Sequence, residues 1–462
     1  MTTNHPTTFV IFGVTGDLAK KKLFPALLDL FESNYLPDKF NIVGVARRDL
    51  SLDEFKGYVK SILEERKSGE IDNFLDRLSY VQGEFNENNT YLSLGKHLGN
   101  LDTEKYDTCS NKLFYLSVPP SLFNLILNNL ASSGLTIPCS DSSGWTRVLV
   151  EKPFGNDLET AEELDMLLGK LFREEQIFRI DHYLAKETVQ NILTFRFSNT
   201  LFEPLWNSKY IDSVNIKMFE ENTAKGRGSF YDSIGALRDV GQNHLLQLLS
   251  LIAMEPCSAM NPNEVRERRA KVFNDLKLGK VIARAQYEGF KEEEGVKPNS
   301  DTETFFALKA FVNNKRWKGV PFNIIAGKGL DKKLVEIEIK FKDMTEGCFI
   351  PREHEDQEQN TLTFRVQPEE GISVKFWAKQ PGLEKKIGPR ELSFSYHEKE
   401  TEHIDAYEKV IYDCIVGDQM LFASTDEVIA SWKFITPIVD SWKEIPLKIY
   451  NVGSNAKDII DK

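Results

Sequence analysis

Residues 8–23 read TFVIFGVTGDLAKKKL, and the reading of this stretch decides the fold. Thr8 to Phe12 are β-branched or aromatic, which favours a strand, and Gly13 and Gly16 follow directly. The next residues, LAKKKLFPALLDLFESN, place apolar side chains at helical spacing, with Pro25 expected to bend the helix. A strand that turns through glycines into a helix presents backbone amides suited to a pyrophosphate. The spacing is Gly-x-x-Gly, with Ala19 at a third position, instead of Gly-x-Gly-x-x-Gly. Taken alone, a tight structural turn would look the same.

Working outward, FNIVGVA (40–46), KLFYLSV (112–118) and RVLV (147–150) are further strand candidates, separated by helical stretches such as 52–66 and 121–133. Nearly continuous apolar strands alternating with helices predict a doubly wound, Rossmann-like parallel sheet. Beyond about residue 200 the pattern changes. IDSVNIKMFE (211–220), VPFNIIAGK (320–328), LVEIEIKF (334–341), TLTFRVQP (361–368) and GISVKFWAK (371–379) read as strands, several alternating apolar with polar side chains. This predicts a larger, mostly antiparallel sheet with covering helices. GALRDVGQNHLLQLLSLIAM (235–254) reads as one long, mostly buried helix, and more helices are expected near 401–415 and 425–439. EGFKEEEGVKPNSDTE (288–303) reads as an exposed connection. A chain of 462 residues exceeds what one core usually serves, so it divides into a dinucleotide-binding domain at 1–180 and a substrate domain at 181–462.

The net charge of −12 opposes a broad nucleic-acid surface. The N-terminal MTTNHPTT lacks the apolar core of a signal peptide, and no apolar run is long enough to span a membrane. The five cysteines lie far apart, without metal-ligand spacing, and their odd number does not suggest a disulfide framework. A reduced, cytoplasmic setting without a metal site is the expectation.

The second strand ends VGVARR, with Arg47 and Arg48 where NAD-specific sites commonly carry a carboxylate. A guanidinium there suits a 2′-phosphate through paired, charge-assisted hydrogen bonds, so NADP is preferred, with NAD use left open.

RIDHYLAKE (179–187) gathers Asp181, His182, Tyr183 and Lys186. If His182 begins a helix, Lys186 shares its face, and both can reach one phosphate. GKGLDKK adds Lys328, Lys332 and Lys333 as a second basic set. In RDVGQNHLLQLL, His244 enters an apolar helix after Arg238, Asp239, Gln242 and Asn243. So much hydrogen-bonding capacity on a buried helix points to a polar ligand. On an α-helix Asp239 and His244 lie about 140° apart, so they would flank a ligand without being neighbours.

Together these segments closely resemble the glucose-6-phosphate dehydrogenase family. The resemblance runs from GVTGDLAKKKLFPAL through VEKPFGNDLETA, RIDHYLAKE, GALRDVGQNHLLQLLSLIAMEP, TETFFALK and RWKGVPFNIIAGK to DAYEKVIYD, nearly the whole chain. It implies NADP-dependent oxidation of D-glucose 6-phosphate at C1 to the lactone, the first step of the oxidative pentose phosphate pathway. It implies His244 as the base, Asp181 as the group that orients it, and Lys152 between substrate and coenzyme. By the same matching His182, Tyr183, Lys186, Lys328 and Lys333 hold the phosphate, and Glu220 and Asp239 bind sugar hydroxyls. Gly13, Thr15, Gly16, Asp17 and Leu18 mark the coenzyme turn, with Arg47 and Tyr115 nearby. A homodimer or homotetramer is also implied. Another sugar dehydrogenase would have no use for the phosphate set, and a non-catalytic NADP-binding sensor none for Asp181, His244 and Lys152 together.

Overall fold

The computed structural model describes residues 5–140, 144–343, 359–384, 386–396 and 404–461. The start of the helix expected near 401–415 therefore lies outside the described residues, as do residues 1–4.

Six strands form the first sheet in parallel: β1 (Thr7–Phe12), β2 (Phe40–Ala46), β3 (Leu78–Gln82), β4 (Asn111–Leu116), β5 (Thr146–Val150) and β6 (Ile177–Ile180). Their order, 3-2-1-4-5-6, is the doubly wound arrangement, with its switch point between β1 and β4. Every residue of β1 and β2 is buried, as expected for strands covered by helices on both faces.

Eight strands continue the chain: β7 (Ile211–Phe219), β8 (Leu276–Tyr287), β9 (Phe305–Val312), β10 (Pro321–Gly327), β11 (Leu334–Phe341), β12 (Thr361–Gln367), β13 (Gly371–Lys379) and β14 (Ile387–Ser395). Two short strands follow, β15 (Phe422–Ala423) and β16 (Lys448–Tyr450). The second sheet has the order 14-13-12-11-7-10-9-8-16. Its pairs are antiparallel except β7 with β10 and β8 with β16. Dividing the chain at 180/181 leaves β1–β6 on one side and β7 onward on the other. Yet β15, from the far end of the chain, pairs antiparallel with β6 and completes the first sheet.

Three expectations need correction. The segment 235–254 is not one α-helix. Gly235 has φ 74° and ψ 170° and breaks it, Leu237–Leu245 winds as a π-helix, and only Leu246–Ala253 is α-helical. The helix after the glycine turn likewise begins with a π segment, Ala19–Leu23, and Pro25 sits in the first turn of the α-helix that follows. The connection at 288–303 is exposed only in part, because Ser300 and Glu303 at its end are buried.

The cysteine reading also changes. A disulfide joins Cys109 to Cys139. These residues precede the neighbouring strands β4 and β5, a proximity that only the sheet order reveals. The cysteine pattern therefore does not carry the reduced setting inferred from it. Among the described residues, no helix is long and apolar enough to cross a membrane.

Candidate active site

The chain leaves β6 at Ile180, and Asp181 stands just past the carboxyl end of a parallel strand, where open α/β sheets place their ligands. Residues 181–186 form turns, not a helix: Leu184 N–H donates to the Asp181 carbonyl at 3.0 Å, and the α-helix begins at Glu187. The expected helical face shared by His182 and Lys186 is therefore absent. The turns sort the segment instead. Leu184 and Ala185 enter the core, while Asp181, His182, Tyr183 and Lys186 are free to gather on the other side.

Asp181 and His244 are 3% and 2% exposed, and His244 Nδ1 lies 2.5 Å from Asp181 Oδ1. Burial alone would raise the Asp181 carboxyl, but His244, His182 and the Tyr183 N–H outweigh it and hold the group at about 2. Burial pushes His244 below the ordinary imidazole value, against the pull of Asp181. A carboxylate paired with a neutral imidazole results. Because the carboxylate only accepts, Nδ1 carries the hydrogen and Nε2 keeps its lone pair.

The π winding explains a further departure. Its hydrogen bonds link residues five apart, so Asp239 and His244 fall on one side of the segment instead of about 140° apart. Lys152 joins them, its Nζ 3.3 Å from Asp239 Oδ1 and donating to the Asp239 carbonyl at 2.9 Å. The Lys152–Pro153 bond is cis. The other polar residues of RDVGQNH serve the fold: Gln242 donates to Ser431 Oγ, Asn243 to the Asp239 carbonyl, and Arg238 to the Ile234 carbonyl. Polarity on this segment was thus a weaker pointer to a ligand than the sequence argument assumed.

The His244 ring lies against Tyr183, with centroids 4.3 Å apart, and against His182 at 4.9 Å. Burial pushes His182 down to about 3 and keeps it neutral. Lys186 Nζ is 3.8 Å from Glu370 Oε1, and burial lowers its pKa, with Lys333 and Lys22 acting in the same direction. Lys22 itself pairs with Asp405 at 3.2 Å, so carboxylates accompany these lysines. Lys328 goes elsewhere, forming an ion pair with Glu220 and lying 5.2 Å from the Tyr231 ring centre. A cavity of about 460 Å³ opens beside that pair, lined by Glu220, Thr223, Arg227, Tyr231 and Lys328.

At the other end, Gly13 has φ 78°, and a Cβ there would come within 2.3 Å of the Ser117 carbonyl beyond β4. The turn therefore lies tight over the switch point between β1 and β4. Asp17 is exposed and paired with Lys21. Arg47 is exposed at the end of β2, and its guanidinium has no ion pair among the described residues. A glycine turn beside a free guanidinium is a donor set that fits a 2′-phosphorylated dinucleotide. Tyr115 is buried, its hydroxyl donating to Glu151 Oε1 at 2.5 Å.

Sequence reasoning missed Glu151, Tyr407 and Lys22. Burial, with a contribution from the Asp181 charge, pushes Glu151 up to about 7 against the opposing pull of Tyr115, Lys152 and Tyr407. Tyr407 stacks on His182 at 6.2 Å, and Lys22 lies 5.7 Å from the Tyr407 ring centre. Glu151 directly precedes Lys152 and could have been noticed. Nothing in the run Lys20-Lys21-Lys22 distinguishes its third member.

Comparisons with known proteins identify the family. Residues 10–191 match the family described as Glucose-6-phosphate dehydrogenase, NAD binding domain, and residues 193–462 match its C-terminal domain. The chain is 41% identical to a glucose-6-phosphate 1-dehydrogenase of Chlamydia pneumoniae, over 95% of this chain and 90% of that one. It is 40% identical to the enzyme of that name from Borreliella burgdorferi, over 98% and 95%. A solved glucose-6-phosphate dehydrogenase in complex with its substrate superposes with a TM-score of 0.90 at 36% identity, covering 99% of each chain. With matches of this extent, the chain belongs to the glucose-6-phosphate dehydrogenase family.

Proposed function

We propose that this chain oxidises D-glucose 6-phosphate at C1 to the lactone, using NADP, with His244 as the general base. The observation that carries the reading is the buried pair of Asp181 and His244, joined at 2.5 Å, with Lys152 bound to Asp239 on the segment that carries His244. His244 Nε2 takes the proton of the C1 hydroxyl. Asp181 fixes the ring's tautomer and stabilises the imidazolium as it forms. NADP, when bound, accepts the hydride from C1.

The remaining residues bind and orient. Lys186 and Lys333, with Lys22 near them, supply positive charge for the 6-phosphate, and neutral His182 and the Tyr183 hydroxyl add hydrogen bonds. Lys328 also belongs to the substrate set, but its partner Glu220 supports a place beside the sugar hydroxyls with Asp239. Lys152 spans the gap between substrate and coenzyme. Gly13, Thr15, Gly16, Asp17 and Leu18 hold the pyrophosphate turn, and Arg47 reads the 2′-phosphate. Buried Tyr115 acts on the coenzyme pocket through Glu151.

The test is an assay of reduced-coenzyme absorbance crossing glucose 6-phosphate and glucose with NADP and NAD. Turnover of glucose as efficient as that of its phosphate ester would reject the substrate assignment. Lys186→Ala should raise KM for glucose 6-phosphate roughly 10- to 100-fold, the range for a charged hydrogen bond, and leave glucose oxidation unchanged. Equal losses on both sugars would take Lys186 out of the phosphate site. Arg47→Asp should cut the NADP-over-NAD preference at least about tenfold through like-charge repulsion. An unchanged ratio would mean that another group reads the 2′-phosphate.

A further inference from the structure

The π-helix that carries Asp239 and His244 is held at its start by a residue from outside it. Glu303 lies just before β9 and is 4% exposed. Its Oε1 accepts the Leu237 N–H at 2.9 Å, and its backbone carbonyl accepts the Ala236 N–H at 3.0 Å. The first N–H groups of a helix have no partner within it, and Ala236, at the cap position, has no side-chain oxygen to offer. Glu303 supplies the missing acceptors. Gly235 makes the room for them, since a Cβ there would lie 2.5 and 2.6 Å from the two carboxylate oxygens.

The adjacent residue reaches the opposite wall of the site. The Thr304 carbonyl accepts the Lys328 N–H at 3.0 Å, and Tyr450 OH lies 2.8 Å from Thr304 Oγ1 and donates to the Lys328 carbonyl at 2.6 Å. One dipeptide thus ties the segment bearing the base to the backbone of Lys328.

We propose that Glu303 is a positioning residue for the reaction, a remote cap that fixes the register of the π-helix and so keeps Asp239 and His244 on one side. This rests on the reading of His244 as the base. Were the segment to rewind in α register, the two side chains would separate to about 140° and His244 would turn away from Asp181. The cap needs an acceptor oxygen at a set reach. Burial raises the Glu303 carboxyl to about 7, and an acceptor oxygen is present whether or not the group is ionised.

The test pairs two variants. Glu303→Gln keeps both length and acceptor and should retain at least about a third of kcat. Glu303→Asp keeps the charge but falls one methylene short, and its kcat should drop on the order of 10²-fold, the cost of a roughly 1 Å misplacement, with KM for NADP unchanged. A Glu303→Asp enzyme with normal kcat, or a Glu303→Gln enzyme as impaired as Glu303→Asp, overturns the assignment. If Glu303→Asp does not fold, Glu303→Asn takes its place with the same readings, because its acceptor oxygen also falls one methylene short. His244→Asn with undiminished turnover would sink the base assignment instead, whereas the Glu303 outcomes bear on the cap alone.

Discussion

His244→Asn is expected to lower kcat for glucose 6-phosphate by roughly 10²- to 10⁴-fold while KM stays within about threefold. That range corresponds to about 3–5 kcal/mol of transition-state stabilisation. Asparagine can still donate to Asp181, so the pocket keeps its packing and only the proton acceptor is lost. Near-normal turnover would overturn the base assignment. The pH profile of the unaltered enzyme gives a second check. His244 has its pKa lowered by burial, so it stays unprotonated as pH falls through the usual imidazole range. The acid limb of kcat/KM should therefore lie below about pH 6.5, and a limb centred above pH 7 would contradict a buried neutral base.

The largest expected change in stability lies away from the site. Arg269 Nε and Glu427 Oε1 are 2.9 Å apart, and both side chains are fully buried. Glu427 also caps the helix Thr425–Asp440 through Ser424 and accepts from Gln247, which sits on the helix following His244. Glu427→Ala strands the Arg269 charge in the interior and should cost about 3–5 kcal/mol. Glu427→Leu combined with Arg269→Met should recover most of that loss, because the cost is an uncompensated ion and not the absence of a bridge. Urea midpoints of the three proteins decide the matter. A Glu427→Ala midpoint within experimental error of the parent would show that the pair contributes nothing.

The sequence revealed the first sheet best. Strands β1, β2, β4 and β5 are short apolar runs bounded by turns, and buried parallel strands leave that signature. The strand β6 escaped notice because its four residues, Ile-Phe-Arg-Ile, include an arginine; Arg179 is buried only because Asp165 and Glu174 pair with it. β8 and β9 were missed where the chain near them is charged. The π-helix was illegible for another reason. Its residues fit an α pattern equally well, and the extra residue per turn is set by Gly235 and by the distant Glu303. Residue types for the site were visible, but their grouping was not. Lys328 and Lys333 are five positions apart, yet one pairs with Glu220 while the other bears on Lys186.

Closure of the first sheet by Phe422–Ala423 has a consequence for biosynthesis. A ribosome releases the six parallel strands long before it makes this pair, so the rim at Ile180 waits uncovered while the 241 residues between Ile180 and Phe422 are made. Nascent chains stalled within that interval would offer a bare strand to one another, an invitation to clump that only the arrival of Phe422–Ala423 removes.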